Sequence, residues 1–186
     1  VGLGNPGKRY ENTWHNLGRM ALQTLAERHN LSVNKIRFKG LTVEGFIYGY
    51  PVLLLAPETF MNLSGESVRA AAEYYKIPDE KIIVLYDDID LDVGMVRIKG
   101  QGGPGTHKGM KSIIYQLRSE NFPRIRIGMG PRPAGDMVDI VLAKIPGSDY
   151  KTVQESLDAA AESCELILQG EIATAQERYN HKKELD

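Results

Sequence analysis

Five apolar or aromatic residues in a row, Ile82-Ile83-Val84-Leu85-Tyr86, stop at the acids Asp87-Asp88. So short a run without polar alternation is the pattern of a strand buried in a sheet, with helices covering it. The rest of the chain supplies them. Helical spacing recurs at residues 17–29, 64–75 and 110–117, then at 148–169 up to Gly170, and at 171–180. Ser64 is placed to cap the second of these helices, and Pro78 to stop it. Strand patterns fill the gaps: 38–48 and 51–56 joined by a turn at Gly49-Tyr50, then 95–99, 124–128 and 138–142. Val1-Gly2-Leu3 reads as the tail of a strand whose first residues lie upstream. Neither an internal repeat nor a low-complexity linker divides the chain. The expected fold is α/β: a single three-layer domain over residues 1–186, with a mixed β-sheet flanked by helices.

Composition narrows the function classes. The lone cysteine, Cys164, rules out an internal disulfide framework and any multi-cysteine zinc site. It falls within a helical pattern, as a packing thiol would. The longest apolar runs, such as residues 52–56, are too short to cross a bilayer. Nothing resembles a signal peptide, so the default is a cytoplasmic protein. Net charge is −1, yet residues 94–133 hold eight basic side chains (Arg97, Lys99, Lys108, Lys111, Arg118, Arg124, Arg126, Arg132) and one acid, Glu120. A solvated face explains such a run as readily as a polyanion site does, but the acidic remainder makes a local anion footprint the better reading.

Several motifs mislead on inspection. Gly2-Leu3-Gly4-Asn5-Pro6-Gly7 matches the dinucleotide fingerprint, but polar and turn residues separate it from the helix at Leu17, and the next strand lacks a terminal acid. It suits a tight strand-exit turn that presents Asn5 to a cleft. The stretch 100–109 lacks the Gly-Lys-Ser/Thr ending of a phosphate loop, and fits a loop that a bulky ligand approaches closely. Residues 88–99 fail the calcium-loop pattern, with Gly94 one place late and Lys99 where a Glu belongs. No G-x-S-x-G elbow is present. His15, between Trp14 and Asn16 at a loop-to-helix junction, and Asp87, at the end of the buried run, remain as base and orienter. A capped turn acid and a structural histidine are the competing readings. An imidazole, which titrates near neutrality, needs little adjustment to act as a base.

On these residues the chain resembles bacterial-type peptidyl-tRNA hydrolase. The likeness rests on residues 1–7 with Tyr10, Thr13, His15 and Asn16; on Phe60-Met61-Asn62-Leu63-Ser64-Gly65; on Asp87-Asp88-Ile89-Asp90-Leu91; and on residues 122–128. These stretches run in family order over nearly the whole chain. The resemblance implies cleavage of the ester between a peptide and the terminal ribose of tRNA, by a cytoplasmic monomer without metal or cofactor. By the same likeness His15 activates water and Asp87 orients it. Asn5, Tyr10, Met61, Asn62 and Lys108 line the substrate cleft, and Arg97, Lys99 and Arg126 meet tRNA phosphate.

The chain departs from the family pattern at two places. The glycine-rich loop usually ends Gly-Gly-His-Asn-Gly; here it is Gly105-Thr106-His107-Lys108-Gly109, so a lysine replaces a substrate-contacting amide. Trp14 stands where an arginine is customary. A non-catalytic RNA-binding scaffold on the same fold, like the chloroplast intron-splicing relatives, is the alternative. Intact His15, Asp87, Asn5 and Asn62 favour the enzyme, and Lys108 leans the other way.

Overall fold

The computed structural model describes residues 1–130 and 134–181. Strands β1 (Lys35–Arg37), β2 (Gly40–Ile47) and β3 (Tyr50–Pro57) form an antiparallel sheet in that order. Strands β4 (Val84–Asp92), β5 (Val96–Lys99) and β6 (Arg124–Gly130) form a second sheet in the order β4-β6-β5. In it β6 runs parallel to β4 and antiparallel to β5. Residues 1–3 join the two. Gly2 N donates to Leu55 O on β3 (3.0 Å), Leu3 N to Leu85 O on β4 (3.0 Å), and Leu85 N to Val1 O (2.8 Å). The opening residues therefore behave as the expected strand tail, and they lead directly into Asn5.

Strand alternation sends side chains to two cores. Leu85, Ile98, Ile125 and Ile127 meet Leu17, Ala21 and Leu25 of α1 (Leu17–Arg28) and Val153, Leu157 and Ala160 of α5 (Tyr150–Leu168), with α6 (Ile172–Tyr179) beside them. On the other face Val84, Tyr86 and Leu55 meet Val68 and Ala71 of α2 (Ser64–Tyr75) and Met110 and Ile113 of α3 (Lys108–Leu117). Helix, sheet, helix is the layering expected. Gly18 lets α1 lie on β4: a Cβ there would stand 2.1 Å from Leu85 O. Gly65 does the same for α2 against α3, where Ser112 O would be 2.1 Å away. Cys164 is buried on α5, where burial pushes its thiol up to about 12, so it packs and does not react.

Glu165 staples α5 to α1. It accepts from Arg28 Nε (2.9 Å) and Nη2 (3.0 Å) and lies 2.8 Å from His29 Nε2. Burial alone would raise its pKa, but the bonds from Arg28 and His29 outweigh it and hold the carboxyl below its ordinary value.

Local expectations need five corrections. The first hairpin turns at Tyr48-Gly49, both at positive φ (48° and 80°), so Tyr50 belongs to β3. Phe38 and Lys39, both at φ 54°, make a second such turn between β1 and β2. Paired left-handed residues match the twist of the flanking strands, a signal that pattern counting does not see. Ser64 is not the cap of α2: it lies inside the first turn, with Oγ donating to Met61 O (2.8 Å). Strand β4 does not stop at the acids but carries Asp87 and Asp88 within it. Residues 138–142, expected as a strand, lie in the helix α4 (Met137–Leu142), because Asp136 caps it by accepting from Val138 N (2.7 Å).

Candidate active site

Asn5, His15, Met61, Asn62 and Asp87 line a single cleft of about 780 Å³, together with Lys99, Lys108 and Arg126. A volume of this order suits a bound ligand. Two of the expected residues lie elsewhere. Tyr10, in the 3-10 turn Lys8–Tyr10, is not among the cleft-lining residues, and Arg97 lines a neighbouring cavity. The glycines at 2–7 lead into 3-10 turns at Lys8–Tyr10 and Trp14–Asn16 before α1 begins, which removes the dinucleotide reading.

His15 sits in the second of those turns, buried, across from Asp87, which is 3% exposed. Its Nδ1 is 2.9 Å from Asp87 Oδ2 and 3.0 Å from Oδ1. A second imidazole shares the carboxylate. His107, the N-cap of α3, places Nε2 3.0 Å from Asp87 Oδ1, and its Nδ1 accepts from Met110 N (3.3 Å). Burial disfavours the ionised carboxylate, but the two imidazoles outweigh that cost and hold Asp87 well below the usual carboxylate range. The hydrogen-bond pattern assigns the tautomers. An ionised Asp87 only accepts, so both histidines donate to it, and His15 keeps Nε2 as its free basic nitrogen.

The amide opposite is held as firmly. Asn5 Oδ1 accepts from Met61 N (2.9 Å), so its Nδ2 hydrogens remain for the cleft. Asn16, the neighbour of His15, clamps the Asn5 backbone from both sides: its Oδ1 accepts from Asn5 N (2.8 Å) and its Nδ2 donates to Asn5 O (3.0 Å). The His15 imidazole and the Asn5 amide are thereby fixed relative to each other. Sequence reasoning missed His107 and this role of Asn16. His107 carried one signal, a polar residue just before a helical run, where caps are found.

The cations lie mainly on one sheet face. Arg97 stands opposite Arg126, and Lys99 opposite Arg124, on the side of β5 and β6 facing away from α1 and α5. Directly opposed like charges destabilise a sheet unless something answers them. Asp88 answers Arg126 (Nε to Oδ2, 2.5 Å). Arg124 is buried and donates to the carbonyls of Gly102, Gly103, Glu120 and Phe122, so it shapes the glycine-rich loop and is not available for phosphate. Arg97 Nε is buried with no hydrogen-bond partner among the described residues, and Lys99 and Lys108 are exposed at the cleft. Arg132 of the basic window lies outside the described residues.

A carboxylate-held imidazole, a fixed amide donor and cations on one sheet face are a set that suits hydrolysis of an anionic substrate on an α/β sheet. Ser64 does not compete as nucleophile, being buried and bonded to Met61. His15, Asp87 and His107 also place ligand atoms within 4.8 Å of one another, close enough for a small cation, so chelation is a necessary control. Comparison with known proteins agrees with the hydrolytic class. The peptidyl-tRNA hydrolase family model matches residues 1–186. The chain is 49% identical over 180 residues to a peptidyl-tRNA hydrolase of Alkaliphilus oremlandii, covering 97% of each. It is 48% identical to that of Caldanaerobacter subterraneus subsp. tengcongensis, again covering 97% of each. The crystal structure of peptidyl-tRNA hydrolase from Acinetobacter baumannii superposes with a TM-score of 0.90 at 35% identity, over 96% of this chain and 91% of that one. This chain belongs to the peptidyl-tRNA hydrolase family.

Proposed function

We propose that this chain hydrolyses the ester joining a peptide to the terminal ribose of tRNA, with His15 as base and Asp87 as its orienter. The observation that carries the reading is the His15 Nδ1 contact with both oxygens of a buried Asp87, at 2.9 and 3.0 Å, in the wall of the cleft. Water attacks the ester carbonyl carbon while His15 Nε2 takes its proton. The tetrahedral oxyanion is met by the Asn5 amide, with Asn62 on the same wall. The carbon–oxygen bond to ribose then breaks, and His15 returns the proton to the leaving oxygen. An alcohol leaves far more readily than an amine, so one oriented base is enough; general-base help is worth roughly a hundred- to ten-thousandfold. Met61 supports Asn5 by donating its backbone N–H to the amide oxygen. Arg97, Lys99 and Arg126 meet tRNA phosphate, with Lys108 joining them at the cleft mouth.

A non-catalytic scaffold would have no use for two imidazoles trained on one buried carboxylate, an arrangement that costs desolvation free energy. We read residues 1–186 as one catalytic domain acting as a cytoplasmic monomer. No helix among the described residues is long and apolar enough to cross a membrane. The test is peptide release from an N-acylaminoacyl-tRNA at neutral pH with chelator present. Turnover supports the reading. Loss of turnover on chelation, restored by metal, would transfer the chemistry to an ion bound by His15, Asp87 and His107.

A further inference from the structure

Helix α4 is the element that this chemistry leaves unused. Five of its six residues are apolar, yet none is fully buried: Met137, Ile140 and Val141 pack partly against the α1–α5 core, and Val138 is 47% exposed. Its two sides look into different cavities. Met137, Val138, Val141 and Leu142, at spacing i, i+1, i+4 and i+5, share one side and line the catalytic cleft. Asp139 and Ile140 line a separate cavity of about 1370 Å³. Apolar surface left partly exposed in a ligand cleft, as at Val138, is unfavourable in water and favourable under an apolar group. Phe60, 59% exposed, lines the same cleft.

The helix is also registered against the base. Trp14 N donates to Ala143 O (3.2 Å), and Ile145 N donates to Asn12 O (2.9 Å). The residues that follow α4 are thus bonded to the segment that leads into His15. The remaining cleft wall carries Lys99, Lys108 and Arg126, which suit a polyanion. A substrate with a polyanionic half and a peptide half, reacting at His15, has one way to divide between these walls.

We propose that the cleft-facing side of α4, together with Phe60, is a subsite for the side chain of the esterified amino acid, and that it prefers an aliphatic or aromatic one. The proposal rests on the hydrolase reading above. An acidic side chain placed there would lose its hydration against an apolar surface. Covering a leucine-sized side chain is worth roughly ten- to a hundredfold in kcat/KM.

The experiment compares kcat/KM for one tRNA body carrying N-acetyl-leucine, N-acetyl-phenylalanine or N-acetyl-aspartate. Leucine and phenylalanine esters should exceed the aspartate ester by roughly tenfold or more. In Val138→Ser the leucine-to-aspartate ratio should fall severalfold. In Val138→Asp an N-acetyl-lysine ester should gain on the leucine ester. Equal kcat/KM for the leucine and aspartate esters with the parent protein would overturn the subsite. An unchanged ratio in both variants would overturn it too, even if both lost activity, because α4 would then act on the fold alone. Absence of release from every ester would instead refute the hydrolase reading and the subsite with it.

Discussion

Asp87→Asn separates an orienting carboxylate from a structural one. Asp87 accepts at three contacts: His15 Nδ1 at 2.9 and 3.0 Å, and His107 Nε2 at 3.0 Å. An asparagine keeps a single acceptor oxygen. With that oxygen at the Oδ1 position, the amide NH2 faces His15 Nδ1, donor against donor. With it at the Oδ2 position, the NH2 faces both imidazoles. The strain is relieved when His15 moves its proton to Nε2, the nitrogen that the reaction needs bare. The lost charge adds to this. An imidazolium about 4 Å from a carboxylate charge is stabilised by about 4 kcal/mol at an effective dielectric of about 20. That corresponds to roughly a thousandfold in rate if the whole charge develops in the transition state. Because only part of it does, kcat should fall about a hundred- to a thousandfold, with KM nearly unchanged, since Asp87 is buried against His15 and His107. Single-turnover peptide release at saturating substrate gives the rate, and imidazole nitrogen NMR gives the His15 tautomer. A rate within about threefold of the parent, with the His15 proton still on Nδ1, would refute the orienting role.

Arg97→Ala and Lys99→Ala should each raise KM for full-length peptidyl-tRNA and lower the log–log salt slope by about one unit or less, with little effect on a minimal aminoacyl ester; equal losses on both substrates would assign the residues to the fold. Lys108 is exposed on the first turn of α3, so its ammonium is solvated. Lys108→Asn should leave the acid limb of the pH–rate profile in place and slightly weaken tRNA binding, and a limb displaced to higher pH would show the charge acting on His15. Glu165→Gln should lower the melting temperature at neutral pH. The Glu165 pKa is held below its ordinary value, so its contribution is complete above the unfolded-state value near 4.3 and fades as pH falls through the folded one. Parent and variant melting temperatures should therefore converge in acid, and a gap that stays constant from neutral to acid pH would contradict the staple.

The layers of the fold were legible because their signals are periodic. Leu17, Ala21 and Leu25 repeat at helical spacing and do pack on β4, and the buried run that opens at Ile82 does lead into β4. Signals made by single residues were harder to read. Residues 138–142 are apolar enough for a strand, and the Asp136 cap starts them as a helix instead. The β4 strand passes through two acids because Asp87 finds His15 and His107, and Asp88 finds Arg126, none of them near in sequence. His15, Asp87, Asn5 and Asn62 were found as polar residues at the ends of apolar elements, and the cleft does collect them. His107 was hidden because its two roles, capping α3 and donating to Asp87, exist only once the chain has folded. The basic window was counted as eight positive charges, but burial of Arg124 and the Asp88 partner of Arg126 depend on contacts that charge counting omits.

The central claim is that His15 activates the attacking water. It is tested most directly by single-turnover peptide release from saturating peptidyl-tRNA by His15→Ala in chelator, with tRNA affinity measured on the same preparation. The account predicts loss of most of the rate, about a hundredfold or more, at nearly unchanged affinity, because a base acts on the transition state and not on phosphate. A variant that kept more than roughly a third of the parent rate would contradict it, since removing a general base costs far more than that.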